Sequence, residues 1–128
     1  LPGFFAIALI AVLLAACGSS ATRLVEEDAG STVELKTGDK LEVVLVGNPT
    51  TGYLWEVGSV DQAVLKSAGE PEYETDPNAE GLVGAGGTFT FTFEAVASGQ
   101  TTLELVYRRP WEEDVAPIGT FEVTVVVK

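Results

Sequence analysis

Residues 88–95 read Thr-Phe-Thr-Phe-Thr-Phe-Glu-Ala. Strict alternation puts Phe89, Phe91 and Phe93 on one face of an extended strand and the threonines on the other. A helix would scatter the three rings around its axis instead of stacking them on one side. Thr is β-branched and Phe aromatic, and both pack well on a pleated surface. A strand with one apolar face has to be covered, so this segment commits the chain to layered β-structure.

Other segments follow the same period. Thr32 to Lys36 alternates, and Thr37-Gly38-Asp39 is a turn signal. Lys40 to Val46 is apolar enough for a central strand, Tyr53 to Val57 gives a third, and Ala63 to Ala68 a weaker fourth. After Thr88 to Ala95, Ser98-Gly99-Gln100 turns the chain into Thr101 to Tyr107. Gly119 to Lys128 then points Phe121, Val123, Val125 and Val127 one way. Trp55, mid-strand between Leu54 and Val57, is expected in the core. No window supports an amphipathic helix of three turns. Seven short strands over residues 32–128 predict an all-β, antiparallel β-sandwich.

Composition removes whole classes of function. There are 7 Lys and Arg against 19 Asp and Glu, a formal charge of -12, which argues against a nucleic-acid partner. No His is present, so there is no imidazole base or imidazole metal ligand. The single Cys excludes an intrachain disulfide and a Cys-based zinc site. No cofactor is implied. Nothing in the sequence selects two of the many carboxylates as an acid/base pair, so an enzyme is the weakest reading.

The charged residues all lie beyond residue 16. Residues 1–16 are apolar apart from Pro2 and Gly3, too short a run for a bilayer span and fitting a secretory leader. Leu14-Ala15-Ala16-Cys17 resembles the lipobox of bacterial lipoproteins. The resemblance implies removal of residues 1–16, acylation of Cys17, and anchoring of the mature chain in the cell envelope. Residues 17–31 would then be the lipidated Cys and a flexible tether, opening with Gly18-Ser19-Ser20-Ala21-Thr22. Leu1 is not an initiator methionine and no basic segment precedes the apolar run, so the natural leader is expected to begin further upstream. Gly18 leaves the choice of membrane open.

Three connections stand out. Gly47-Asn48-Pro49-Thr50-Thr51-Gly52 follows the second strand, Gly69 to Gly87 follows the fourth and ends Gly84-Ala85-Gly86-Gly87, and Arg108 to Ile118 follows the sixth. If every connection reverses the chain, loops after strands 2, 4 and 6 emerge at the same end of the sandwich. In the first, Pro49 fixes its own φ, biases Asn48 toward extended backbone, and leaves Gly52 free for positive φ. Two Thr hydroxyls would then sit on a stiff, narrow tip, although the same residues also make an ordinary turn. In the third, Trp111 beside Pro110 among carboxylates is either a lid or an exposed anchor. Burying an indole on a partner is worth up to about 4–6 kcal/mol before entropy costs.

Asn48-Pro49-Thr50-Thr51-Gly52-Tyr53, Gly84-Ala85-Gly86-Gly87 and Arg109-Pro110-Trp111, in that order, resemble the three signature loops of the chagasin family. The resemblance spans residues 32–128. It implies an immunoglobulin-like sandwich, acting as a monomer, that inhibits papain-like cysteine peptidases reversibly and without a covalent step. Thr50 and Thr51 would enter the catalytic cleft near the Cys–His pair, with Gly84, Gly86, Gly87 and the Arg109-Pro110-Trp111 loop clamping its walls. The rival reading is an immunoglobulin-like envelope lipoprotein that binds glycans or a cell-surface protein, with Trp111 as a stacking platform. A calcium site on Glu72, Glu74, Asp76 and Glu80 lacks the spacing of a defined calcium loop; a solvated acidic face fits better.

Overall fold

The computed structural model describes residues 21–75 and 86–128. Among these residues nine strands form two sheets: β1 (Ala21–Leu24), β2 (Thr32–Leu35), β3 (Lys40–Gly47), β4 (Leu54–Ser59), β5 (Leu65–Ser67), β6 (Glu72–Thr75), β7 (Gly87–Ala95), β8 (Gly99–Arg108) and β9 (Gly119–Val127). One sheet runs β1-β3-β7-β5 with β6 also on β7; the other runs β2-β9-β8-β4. The all-β sandwich is as expected, and each anticipated strand is present with shifted ends.

The alternation does what the sequence implied. Leu41, Val43 and Leu45 of β3 and Phe91, Phe93 and Ala95 of β7 face inward and are buried. They meet Leu103 and Leu105 of β8 and Phe121, Val123, Val125 and Val127 of β9 in one continuous core. The Lys36–Asp39 turn is held by the Asp39 carboxylate, which accepts from the Lys36 amide at 2.9 Å.

Three expectations need correction. The sandwich is not wholly antiparallel: β1 runs parallel to β3, and β2 parallel to β9. This follows from the chain crossing between sheets at residues 25–31, which lets β1 and β2 each lie along an edge. Residues 21–31 are accordingly not flexible tether. Leu24 is buried, Ala21–Leu24 pair with Lys40–Val43, and Glu26–Asp28 make a single 3-10 turn. Trp55 is not core but half-buried against it, on the edge strand β4.

The extra strand β6 leaves the direction of the chain unchanged. Both β5 and β6 pair antiparallel with β7, β5 opposite residues 93–95 and β6 opposite residues 87–90. They are one edge interrupted near Gly69, so the count of reversals, on which the loop argument depends, is the same for seven strands as for nine.

Candidate functional site

The ends of β3, β6 and β8 and the start of β7 share one pole. Gly47 pairs directly with Gly87, which brings the first loop against the glycine-rich segment. Gly86 lies against the first loop as well: a Cβ built on it would stand 3.0 Å from the Gly47 carbonyl oxygen and 3.7 Å from the Asn48 side chain. Gly84 and Ala85 lie outside the described residues. Glu72 and Glu74 are exposed on β6, while Asp76 and Glu80 are likewise outside the described residues.

The first loop is a single 3-10 turn over Pro49–Thr51, and its own side chains close it. Asn48 has extended backbone, and its Oδ1 accepts from the Thr50 amide at 3.1 Å and from Thr50 Oγ1 at 2.6 Å. Thr51 Oγ1 donates to the Asn48 carbonyl at 2.7 Å. The chain leaves through Gly52 at φ 90°, its amide donating to the Pro49 carbonyl at 2.9 Å. A non-glycine residue would be strained there. Both threonine hydroxyls therefore commit their protons inward, and what the tip presents outward is methyl groups and oxygen lone pairs.

The third loop leans on the first. Arg109 Nε donates to the Thr51 carbonyl at 3.1 Å, and its guanidinium lies 4.5 Å from the centre of the Tyr53 ring. The same side chain pairs with Glu112 at 3.5 Å. Trp111 is 66% exposed, yet the tip of its ring is seated on Gly52, where a built Cβ would fall 2.5 Å from it. Trp111 is thus an exposed side chain steadied from below, not a lid. Arg108 points the other way, to Glu56 at 3.2 Å and to the Glu112 carbonyl at 2.6 Å.

The expected site residues that are described, Asn48, Pro49, Thr50, Thr51, Gly52, Tyr53, Gly86, Gly87, Arg109, Pro110 and Trp111, are therefore brought together at one pole. Within that cluster Arg109 is engaged with Thr51, Tyr53 and Glu112. Sequence reasoning missed Tyr107. Its ring stacks on Tyr53 (centroids 5.5 Å apart) and tilts against Trp55 (5.0 Å), and its hydroxyl accepts from the Asn48 amide at 2.8 Å. One signal was available. Gly47 continues the inward row Leu41, Val43, Leu45 with no side chain, so another residue has to fill that space.

Known proteins resemble this chain in sequence and in fold. The model described as "Chagasin family peptidase inhibitor I42" matches residues 34–125, well over half of the chain. Amoebiasin-1 of Entamoeba histolytica is 36% identical over 88 residues, which cover 69% of this chain and 82% of amoebiasin-1. Chagasin of Trypanosoma cruzi is 35% identical over 83 residues, covering 64% of this chain and 76% of chagasin. The crystal structure of a cysteine protease inhibitor from Entamoeba histolytica superposes with a TM-score of 0.77 at 24% identity. It covers 86% of this chain and 97% of that one. With its sequence matched across most of the sandwich and its loops gathered at one pole, the chain belongs to the chagasin family of peptidase inhibitors.

Proposed function

We propose that the protein blocks papain-like cysteine peptidases as a reversible, non-covalent plug, with the turn at residues 48–52 inserted in the cleft and Trp111 seated on its wall. One observation carries this reading: Arg109 and Trp111 of the third loop rest on Thr51 and Gly52 of the first, which makes a single blade from two loops. A peptidase of this class needs an extended segment with a carbonyl offered to its thiolate. The turn withholds that geometry, because the Asn48 and Pro49 carbonyls accept hydrogen bonds within the loop. Gly86 and Gly87, beside the root of the blade, leave room for its own neighbours: a Cβ on Gly86 would press on the Gly47 carbonyl and one on Gly87 would run into the Glu74 backbone. Preorganisation also limits the ordering cost of binding.

The lipobox-like Leu14 to Cys17 supports a lipid anchor on Cys17 and a place in the cell envelope. Its geometry suits the plug. Cys17 precedes Ala21 by four residues, and Ala21 pairs with Lys40 at the pole opposite the loops. The blade would project from the membrane side by the length of β3, about 25 Å at roughly 3.3 Å per residue.

Titration of papain with the full chain tests the proposal. Stoichiometric, competitive loss of turnover is expected, with serine peptidases unaffected. Undiminished papain turnover at micromolar protein would refute it. Cys17→Ser should separately release the protein from membranes without altering inhibition in solution.

A further inference from the structure

We infer that Trp55, Tyr107 and Glu26 are positioning residues that stand in for a missing neighbour strand and carry the rigidity of β3 into the blocking turn. This rests on the plug reading above for its consequence, though not for its geometry. The edge strand β1 stops at Leu24, opposite Val43. Among the described residues no strand continues that edge, yet β3 runs on to Gly47 and the turn begins at Asn48. Alternate residues of a strand direct their amide and carbonyl to the same side. The groups of Val46 and the amide of Asn48 therefore face the side that β1 has abandoned.

Each of those three groups is met by a side chain. The Val46 amide donates to the Glu26 carboxylate at 2.7 Å, Trp55 Nε1 donates to the Val46 carbonyl at 3.0 Å, and the Asn48 amide donates to the Tyr107 hydroxyl at 2.8 Å. Two of the three donors or acceptors come from the opposite sheet, on β4 and β8, and reach across the end of the sandwich. Gly47 makes the crossing possible. A Cβ there would stand 2.7 Å from the Phe89 ring and 3.1 Å from the Tyr107 ring, closing the space through which the tyrosine reaches Asn48. A strand end with free backbone groups frays, whereas one with all of them bonded holds its direction.

The experiment compares Tyr107→Phe, Glu26→Ala and Glu26→Gln with the unaltered full chain. It reads amide hydrogen exchange at residues 46–52 and the association and dissociation rates on papain. Tyr107→Phe keeps the ring stack and removes only the acceptor. It should speed exchange at Asn48 and raise the dissociation rate about tenfold, with the association rate changed less than twofold, as for a lost hydrogen bond to a part-buried amide. Glu26→Ala should speed exchange at Val46 and act in the same direction. Glu26→Gln, which keeps an acceptor, should restore most of the loss.

Unchanged exchange at Asn48 and Val46, or faster exchange with an unchanged dissociation rate, would overturn the inference. So would a Glu26→Gln variant no better than Glu26→Ala. Should Tyr107→Phe fold poorly, the Glu26 pair decides, since Glu26 lies on an exposed turn outside the core. If the unaltered chain leaves papain active, the plug reading fails while faster exchange in the variants still supports the positioning role.

Discussion

In the body of the sandwich, at the level of Leu41, Phe93, Leu103 and Val123, the inward side chains are apolar and almost wholly removed from water. At the loop pole the inward positions are Gly47, Gly87, Tyr107 and a half-buried Trp55, and directional bonds from side chain to backbone do the holding. The first arrangement gains its free energy from area and packing, which is large and indifferent to small shifts in direction. The second gains less, and what it gains fixes where a chain segment points. Stability and binding should therefore respond to different substitutions.

The largest expected effect tests the body. Phe93 is fully buried between β3 and β5. Phe93→Ala should cost about 3–5 kcal/mol of folding stability, read by denaturant unfolding. Inhibition per folded molecule should hold. A variant that keeps its midpoint yet loses inhibition would break the division between body and pole.

Trp111→Ala tests the pole. With 66% of the residue already exposed, its melting temperature should move little. Inhibition of papain should weaken by about 1–3 kcal/mol, the range of an interface anchor. A collapse in melting temperature would mean that the contact with Gly52 matters chiefly to folding.

The same contrast explains how much was legible in the sequence. Body strands announce themselves by period two, because each inward residue is an independent choice repeated along the chain, as in Phe89, Phe91 and Phe93. The loops announced themselves by their turn chemistry, Pro49 before Gly52 above all, and counting reversals was enough to gather them. Contacts between elements left a fainter trace. Tyr107 reads as one more strand aromatic, with the missing side chain at Gly47 as its one hint, and the Arg109-Pro110-Trp111 motif does not say that Arg109 turns to the Thr51 carbonyl. Residues 21–31 read as tether because Gly18, Ser19 and Ser20 just before them suggest flexibility. The strand in them is short, with Leu24 its only buried residue.

Gly52→Ala sharpens the contrast within the pole. Its φ of 90° disfavours any side chain, and the added methyl would displace the Trp111 ring. A loss of about 1 kcal/mol in stability is expected from the backbone, together with weaker inhibition as both loops shift. Unchanged inhibition would show that Trp111 does not depend on its seat.

The smallest effects come from two ion pairs of nearly equal length at opposite poles. Lys128 meets Glu34 at 3.3 Å with both side chains about two-thirds exposed, so Lys128→Ala should cost at most a few tenths of a kcal/mol and leave inhibition untouched. Arg108 meets Glu56 at 3.2 Å but is only 22% exposed, and it also donates to the Glu112 carbonyl, one residue beyond Trp111. Arg108→Ala removes both ties and frees the base of the third loop to move. Inhibition should fall by a small factor, about threefold to tenfold, and Arg108→Lys should restore only part of it, since one ammonium cannot span both acceptors as the guanidinium does. Equal consequences from the two pairs would mean that the separation between the poles is not functional. The predicted inequality, at matched distance, would assign the difference to what each charge holds in place.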